Sequence, residues 1–283
     1  MAEAASVTGA KAPGRRADEV LGIVAYTNVA PLHWGLEPWD GARFVRGVPT
    51  MLNAALLAGD VDLTLVSSVE FIRHRHELVA LPDFSIASLG PVHSVTLFHH
   101  HDWAALAGAR IAVSTDSATS VALLSVLLEL HGIEAELVPA KPDLASMLAR
   151  FDAALLIGDN ALVEAVARRA VGTRVPQQTD LGEAWYRATR LPFTFAVWAA
   201  RAERPPSRRL VAELRAARER GLGHLAEVAR VEAAARGLSE QVVLRYLANF
   251  RYFLEPPDRD GLLAFAQRVD PSVRADELRF LEP

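Results

Sequence analysis

The sequence predicts an α/β protein with two lobes, a ligand cleft between them and a helical C-terminal segment. Three observations lead to this prediction. Short β-rich runs alternate with helical patterns in two separate series, two β-branched runs flank the second series, and only helical patterns follow. Such alternation is typical of mainly parallel sheets covered by helices. Extended runs between two α/β units indicate lobes that are joined by crossover strands.

The first series begins at Val20. We expect strands over residues 20–26 and 61–66, a helix over residues 49–58 and a helical stretch from Ser68. In the second series, apolar runs and helical patterns alternate three times. Its expected elements are strands over residues 110–114, 135–139 and 153–157, and helices over residues 120–130, 144–150 and 161–169.

The two β-branched runs, residues 92–98 and 193–198, are expected to cross between the lobes. We therefore assign residues 20–97 together with 199–283 to the first, discontinuous lobe and residues 98–198 to the second lobe.

The chain beyond Pro206 is expected to be helical and to cover the first lobe with its apolar faces. Ser207 and Ser239 are suitable N-caps for two of these helices. The expected helices span residues 207–220, 222–236, 239–249 and 258–268.

Composition narrows the range of functions. The 283 residues are 51% hydrophobic and 23% charged, enough to bury a sizeable core. The net charge of -4 and pI of about 6.1 give no basic field for nucleic acid or an anionic membrane. An anionic ligand must therefore be bound by local groups. The absence of cysteine excludes disulfides and a thiolate nucleophile.

The first nineteen residues are rich in alanine, glycine and charge and lack the apolar core of a secretory signal. We interpret residues 1–19 as a disordered lead-in. No stretch reaches the ~18 uncharged apolar residues that a membrane helix needs. We therefore expect a cytoplasmic protein with no membrane partner.

Polar clusters follow four of the apolar runs. Their hydroxyl and amide groups can bind carboxylates without adding charge, and ligands of open α/β sheets lie at the carboxyl ends of strands. Each cluster alone could be a helix cap, but four at one sheet edge indicate a site. The clusters are Tyr26-Thr-Asn-Val-Ala-Pro-Leu32, Ser67-Ser-Val-Glu70, Ser114-Thr-Asp-Ser-Ala-Thr-Ser120 and Gly158-Asp-Asn160.

Asn28 and Ser94 are the strongest individual candidates. Asn28 precedes Pro31, which fixes the backbone there, and could place a neutral donor and acceptor in the cleft. Ser94 places a hydroxyl group in an otherwise apolar crossover. This hydroxyl could contact a ligand or, equally well, form a hydrogen bond with the backbone. Candidate proton carriers are Glu70, Asp116 and Asp159, all of which could also be caps or ion-pair partners.

Several kinds of chemistry are disfavoured. The run His99-His-His101 alternates between the faces of a strand and cannot chelate a metal tightly without other ligands. We therefore predict no metal site. No glycine-rich nucleotide loop, nucleophile elbow or zinc-protease motif is present.

The clusters, in this order, resemble those of the chorismate dehydratases (MqnA family). The resemblance extends from about Val20 to Trp198. The motifs that carry it are Tyr26-Thr-Asn-Val-Ala-Pro-Leu32, Gly59-Asp-Val-Asp62 with Ser67-Ser-Val-Glu70, Gly90-Pro-Val-His-Ser-Val95, Ser117-Ala-Thr-Ser120, Leu156-Ile-Gly-Asp159, Asp180-Leu-Gly-Glu-Ala-Trp185 and Leu191-Pro-Phe-Thr-Phe-Ala-Val-Trp198.

The resemblance implies the two-lobed fold of type II periplasmic binding proteins. It also implies loss of water from chorismate to give 3-[(1-carboxyvinyl)oxy]benzoate, in the futalosine route to menaquinone, with no cofactor. The small-molecule partner would be chorismate, and no nucleic-acid partner is expected. The oligomeric state stays open, a homodimer being one option.

The implied site combines two groups of residues. Asn28 and Ser94 are the expected catalytic residues. The expected substrate-binding residues are Ser67, Ser68, Thr119, Ser120, Gly158 and Asp159. No His or Lys stands where it could be an obvious base, so the substrate's enolpyruvyl carboxylate is the expected acceptor of the C3 proton.

Two rival functions remain open at this point. One is a non-catalytic cytoplasmic carboxylate-binding protein of the same fold. The other is a related 1,4-dihydroxy-6-naphthoate synthase, which opens with a cysteine-containing pattern where this chain has Tyr26-Thr-Asn-Val-Ala-Pro31. One departure from the family concerns Arg190, which stands where a glycine is usual. If that position needs a positive φ, arginine costs about 1 kcal/mol there.

Overall fold

The computed structural model describes residues 18–100, 102–171 and 176–282. Two β-sheets, one in each lobe, form its framework. The strands are β1 Glu19–Val24, β2 Ala42–Gly47, β3 Leu63–Ser67, β4 Leu78–Ser88, β5 Val95–His99, β6 Arg110–Ser114, β7 Glu136–Ala140, β8 Ala153–Ile157, β9 Gln177–Asp180, β10 Phe193–Arg201 and β11 Phe250–Arg251.

Helices cover the sheets. The α-helices are α1 Pro49–Ala58, α2 Ser68–Arg73, α3 Ala118–Leu130, α4 Leu144–Leu148, α5 Gly158–Val171, α6 Leu181–Thr189, α7 Arg208–Gly223, α8 Leu225–Arg236, α9 Glu240–Ala248 and α10 Pro256–Val269. Short 3-10 helices span Thr27–His33, Trp103–Leu106 and Ala275–Glu277. Within the described residues, no helix is both long and apolar enough to cross a membrane.

The sheets confirm the predicted α/β fold class. The six-stranded sheet has the order β11-β4-β10-β3-β1-β2, and the five-stranded sheet has the order β7-β6-β8-β5-β9. Strands β2, β1 and β3 run parallel, as do β7, β6 and β8. The crossover strands pair antiparallel with their neighbours.

The lobe boundaries differ from those expected from the sequence. Strand β10 lies in the first sheet between β3 and β4, although residues 193–198 were assigned to the second lobe. Strand β5 lies in the second sheet, although residues 95–97 were assigned to the first. Fully buried apolar strands look alike in sequence, and only their pairing partners determine which sheet they join.

The first crossover is the segment of residues 89–94 between β4 and β5, and the return passes from β9 through α6 to β10. The sequence patterns missed β2, β4, β9 and α6. Strand β4 contains Pro82, which argues against an inner strand. The structure accommodates this proline because the register against β10 shifts between Ala80 and Ser85.

The C-terminal helices pack on the first lobe, as expected. Helix α7 lies against the 3-10 helix Thr27–His33, and α10 lies against β10. The approach of α7 requires Gly221, since a Cβ there would collide with the Pro31 carbonyl. Ser207 and Ser239 are confirmed as N-caps, with bonds from Leu210 N (3.1 Å) and Val242 N (3.3 Å).

The expected lead-in, residues 1–19, falls largely outside the described residues. Its last residue does not fit the prediction. Glu19 starts β1, and its carboxylate accepts a bond of 2.7 Å from the Ser207 backbone N–H. This contact fixes the first strand to the beginning of α7.

Candidate functional site

A cavity lies between the two lobes, where strands of both sheets end. Its empty space, the open mouth included, is about 580 Å³. The lining residues are Val24, Tyr26, Asn28, Val29, Pro49, Leu65, Ser67, Val92, Ser94, Val95, Asp116, Ser117, Ser120, Ile157, Gly158, Phe195 and Ala196.

Two polar atoms on the first-lobe wall have no protein partner. The chain leaves β1 and forms the 3-10 helix Thr27–His33, which brings Asn28 to the cavity. The Asn28 Oδ1 atom is buried and makes no hydrogen bond among the described residues, and the same holds for the Ser67 hydroxyl. A buried unsatisfied polar group costs about 1–3 kcal/mol. Two of them on one cavity indicate where a ligand supplies hydrogen bonds.

The Ser67 hydroxyl is unpaired because another residue replaces it as a cap. Ser67 occupies the N-cap position of α2 but makes no capping bond with its side chain. Instead, the Thr119 hydroxyl of the second lobe accepts a bond of 2.9 Å from Val69 N in the first turn of α2. Thr119 thereby accepts one bond from the N-terminus of α2 and leaves the Ser67 hydroxyl for the cavity.

Ser94 lies in the first crossover, directly before β5. It is buried, and its carbonyl accepts a bond of 2.7 Å from Gly158 N at the start of α5. The Ser94 hydroxyl is close to the Tyr246 hydroxyl of α9. Burial raises the pKa of Tyr246 well above its ordinary value, and the Ser94 contact works in the opposite direction. Ser94 therefore contacts the second lobe through its backbone and the C-terminal helices through its side chain.

Asp180 holds the crossover in place. Its carboxylate accepts bonds from Val92 N (3.0 Å) and His93 N (2.7 Å), the two residues before Ser94. It also caps α6 by accepting a bond from Glu183 N at 3.1 Å. The crossover is bent enough that His93 adopts a φ of 65°. Asp180 thus fixes the position of Ser94 from the return connection between the lobes.

The second-lobe wall includes the start of α3. The Ser117 hydroxyl caps this helix by accepting a bond from Ser120 N at 3.2 Å, and the two hydroxyls lie 3.0 Å apart. Both residues and Asp116 line the cavity. A helix N-terminus carries a partial positive charge. This wall therefore offers hydroxyls and a dipole to an anionic ligand.

Tyr26 faces this wall from the first lobe. A Cβ at Gly158 would lie 3.5 Å from the Tyr26 ring, so the ring packs closely on the start of α5. Burial raises the pKa of Tyr26 to about 12, with smaller contributions from the negative charges of Asp116 and Asp159. The Tyr26 hydroxyl therefore stays protonated at neutral pH and can donate a hydrogen bond.

The cavity lining is poor in charge. It contains no Lys, Arg or His, and Asp116 is its one charged side chain among the described residues. An adjoining cavity shares Pro49, Ser67, Asp116 and Ser117 with it and includes Glu70. The Glu70 carboxylate is paired with Arg73 at 2.7 Å. Binding of an anion here must therefore use uncharged donors and the α3 dipole.

Five of the eight residues expected from the sequence line the cavity. These are Asn28, Ser67, Ser94, Ser120 and Gly158. The other three, Ser68, Thr119 and Asp159, do not line it, because their side chains bond to protein groups instead. The Ser68 hydroxyl donates to the Thr194 carbonyl at 2.5 Å, and Thr119 caps α2 as described above.

Asp159 joins the lobes rather than lining the cavity. Its Oδ1 accepts a bond from Thr27 N at 3.3 Å, and its Oδ2 lies 2.6 Å from Arg236 Nε of α8. Gly158 also differs from its expected role. Although it lines the cavity with a φ of 61°, its N–H is used by the Ser94 carbonyl. The turn therefore forms part of the wall but offers neither the Gly158 N–H nor a free carboxylate.

The sequence prediction omitted several lining residues. Tyr26 and Ser117 belong to clusters that had been recognised, so a signal for them was present. Val92, Pro49 and Phe195 are apolar, and nothing in their local pattern distinguishes a cavity wall from a core. Only the meeting of the two lobes reveals them.

Among the residues that the structure describes, the histidine run forms no cluster with other possible metal ligands. The His99 ring Nε2 lies 2.8 Å from the Thr179 hydroxyl in β9, and His101 lies outside the described residues. Within residues 18–100, 102–171 and 176–282, no group of three His, Cys, Asp or Glu side chains could hold a metal ion.

The chain is similar in sequence to a protein family and to a characterised enzyme. A family model described as menaquinone biosynthesis matches residues 20–270. A chorismate dehydratase of Thermus thermophilus is 46% identical over 260 residues, which cover 88% of this chain and 94% of the relative. Both matches extend well beyond the motifs from which the resemblance was first inferred.

Solved structures agree on the fold. A protein from Archaeoglobus fulgidus superimposes with a TM-score of 0.68 at 18% identity, covering 89% of this chain and 96% of that one. The periplasmic aliphatic sulphonate binding protein of Escherichia coli gives a TM-score of 0.64 at 18% identity, covering 95% and 93%. The predicted periplasmic-binding-protein fold is thereby confirmed.

Proposed function

The chain belongs to the menaquinone biosynthesis family, and we propose that it is a chorismate dehydratase, a hydro-lyase that converts chorismate to 3-[(1-carboxyvinyl)oxy]benzoate. The observation that carries this proposal is the high identity to the Thermus thermophilus enzyme over almost the whole of both chains. The cavity between the lobes is the proposed site of the reaction. The reaction would be the first step of the futalosine route.

The chemistry places few demands on the protein. The C3–H bond breaks and its electron pair becomes part of the aromatic ring, while the C4–O bond breaks and its pair leaves with oxygen. The released hydroxide and the C3 proton together form water. Aromatisation drives the reaction, so the enzyme mainly needs to hold the substrate in a reactive geometry and exclude bulk water.

Chorismate carries two carboxylates, and the cavity has no cationic side chain with which to bind them. The available donors are the hydroxyls of Ser67, Ser117 and Ser120 and the N-terminal dipole of α3. Fixed dipoles in a site without water stabilise charge far better than the same groups in water. We assign the carboxylates to these groups, which leaves Asn28 and Ser94 for the enolpyruvyl ether and the ring hydroxyl.

Asn28 and Ser94 are the proposed catalytic residues. Both line the cavity, and Asn28 Oδ1 has no partner among the described residues. Hydrogen bonds fix the backbone at or next to both residues. The Asp159 carboxylate accepts a bond from Thr27 N, directly before Asn28, and Gly158 N donates a bond to the Ser94 carbonyl. Their side chains are therefore positioned to orient the enolpyruvyl ether and the departing hydroxyl.

Three of the four protein groups near the cavity that could act as the base are poor candidates. The raised pKa of Tyr26 keeps it protonated. Both oxygens of Asp159 are bound, and Glu70 is paired with Arg73. Asp116 is the remaining carboxylate in the lining. We propose that the substrate's own enolpyruvyl carboxylate takes the C3 proton, with the protein supplying position.

The function is tested by mixing purified protein with chorismate, without added cofactor, and following aromatic absorbance and product mass. We expect steady conversion to the benzoate. Conversion of cyclic dehypoxanthine futalosine but not chorismate would instead identify a naphthoate synthase. Binding of chorismate without turnover would indicate a carboxylate-binding protein.

The proposed base is tested with Asp116→Asn, using Ser94→Ala for comparison. Asp116→Asn should retain a substantial part of kcat, because the carboxylate of the substrate does the proton transfer. Ser94→Ala should lose most of it. If Asp116→Asn abolishes turnover while chorismate affinity and thermal stability are unchanged, Asp116 is the base.

A further inference from the structure

The turn Gly158-Asp159 is connected to both proposed catalytic residues. Gly158 N donates to the carbonyl of Ser94 itself, at 2.7 Å. The Asp159 carboxylate accepts from Thr27 N, whose peptide is next to Asn28 along the chain, at 3.3 Å. A single two-residue turn of the second lobe thus contacts the backbone at Thr27, the residue before Asn28, and at Ser94.

Arg236 holds this turn from the C-terminal helices. Its Nε lies 2.6 Å from Asp159 Oδ2, and its terminal nitrogen lies 2.7 Å from Glu232 Oε2 one turn earlier in α8. The Arg236 and Asp159 side chains are 18% and 22% exposed. The pair is largely shielded from solvent, so it is screened less than a surface ion pair.

Arg236 does not itself line the cavity. It acts on the carboxylate of Asp159, while Glu232 limits the directions in which the guanidinium can move. The last turn of α8 is followed by Gly237 with a φ of 65°, which ends the helix directly after Arg236. The position of this guanidinium is therefore defined by the helix end and by two carboxylates.

We propose that Arg236 is a positioning residue for the dehydration. Through Asp159 it holds the second-lobe turn against the first lobe, so that Asn28 and Ser94 reach the substrate together. The inference rests on the proposed function and extends it. The C-terminal helical segment then has two roles: it covers the sheet of the first lobe, and through Arg236 it positions the catalytic residues.

Loss of this contact should affect kcat more than KM. The proposed substrate-binding hydroxyls on α3 and β3 do not depend on Arg236, whereas the alignment of Asn28 with Ser94 does. Misplacement of reacting groups by about 1 Å can lower a rate about 100-fold. We expect Arg236→Gln to lower kcat by about 10- to 100-fold, with KM changed by less than about 3-fold.

The experiment compares Arg236→Gln, Asp159→Asn and the double variant, with Arg215→Gln as the control. Arg215 pairs with Asp83 at 2.8 Å within the first lobe, and neither residue lines the cavity. Because Arg236 acts through Asp159, the double variant should be no slower than the slower single variant. Arg215→Gln should keep kcat within about 2-fold. If Arg236→Gln does not fold, Arg236→Lys takes its place.

Amide hydrogen exchange over residues 24–33 gives a second measurement that needs no substrate. We expect faster exchange there in Arg236→Gln and normal exchange in Arg215→Gln. Three outcomes would each overturn the proposal. They are a kcat of Arg236→Gln within 2-fold of the parent, a loss of kcat in the double variant equal to the product of the two single losses, and unchanged amide exchange in Arg236→Gln. If the parent protein does not turn over chorismate, the proposed function fails and the exchange measurement alone decides on Arg236.

Discussion

The backbone N–H of Val69 in the first lobe donates a hydrogen bond of 2.9 Å to the Thr119 hydroxyl in the second. This contact caps α2 across the cleft and joins the two lobes. It also explains why Ser67, at the N-cap position, has its hydroxyl free in the cavity. The sequence had indicated Thr119 as a substrate ligand, whereas its bond is to the protein.

We predict that Thr119→Val destabilises the protein by about 1–3 kcal/mol, because it leaves the buried Val69 N–H without an acceptor. The measurement is the free energy of unfolding in urea. Thr119→Ser is the matched control, since it keeps the hydroxyl and should stay within about 1 kcal/mol of the parent. A loss in Thr119→Ser but none in Thr119→Val, which keeps the methyl group and lacks the hydroxyl, would show that methyl packing and not the hydrogen bond is what matters.

We predict that Tyr26→Phe lowers kcat about 10-fold, the effect of losing one ordinary hydrogen bond to the substrate. In the parent protein, kcat should show no step near pH 10, because the pKa of Tyr26 is raised to about 12 and the phenol stays protonated through that range. A pH profile of kcat for both proteins tests this. Tyr186→Phe, outside the cavity lining, should leave kcat unchanged.

Arg190 ends α6 in the left-handed conformation, with a φ of 63°. The sequence-based concern about a missing glycine at this position is thus confirmed as a matter of backbone geometry. We predict that Arg190→Gly is more stable than Arg190→Ala by about 1 kcal/mol, because both remove the side chain but only glycine adopts this φ without cost. Thermal unfolding of the two variants measures the difference.

Comparing these two variants removes one complication. The Arg190 guanidinium lies 5.6 Å from the centre of the Tyr186 ring, and its cation–π contact is lost in both. Equal stability of the glycine and alanine variants would mean that the backbone at Arg190 is unstrained.

His33 should make the protein sensitive to acid. Burial, aided by the positive charge of Arg46, lowers the pKa of His33 from 6.5 to about 4. In the unfolded chain His33 is protonated below about pH 6.5, whereas in the folded protein it stays neutral down to about pH 4. The free energy of unfolding is therefore unaffected by His33 above pH 6.5 and decreases as the pH falls towards 4. Because the His33 side chain keeps some contact with solvent, which weakens the effect of its surroundings, we expect a loss of about 1–2 kcal/mol.

His33→Gln provides the test of that acid sensitivity. Urea unfolding at pH 7.5 and 4.5 should show a smaller difference in the variant than in the parent protein. A difference of the same size in both proteins would assign the acid sensitivity to other groups.

The local patterns predicted much of the fold. Helix α1 and strands β6 and β8 have the bounds expected from the sequence, because their apolar periods and flanking turn residues are unambiguous. Strand β4, with Pro82 inside it, and the short β9 and α6 carried no such pattern. The membership of β10 in the first sheet could not be read locally, because it depends on pairing with β3 and β4.

In the candidate site, too, local patterns predicted some features and not others. The clusters at the strand ends identified Asn28, Ser67 and Ser120, and the polar position in the first crossover identified Ser94; all four line the cavity. The sequence could not distinguish a hydroxyl that faces the cavity from one that bonds to the other lobe. Ser67 and Ser68 are neighbours of the same chemistry, yet only Ser67 lines the cavity, since Ser68 donates to Thr194.

The sequence by itself determined the α/β class, the order of most elements and the kind of polar group at the strand ends, because each is encoded within a few neighbouring residues. The tertiary structure decided which of these groups form the cavity and which hold the lobes together. Asp159 meets Arg236, 77 positions further along the chain, and Thr119 meets Val69, 50 positions before it. Such contacts depend on how the two lobes pack, and no local pattern of residues records that packing.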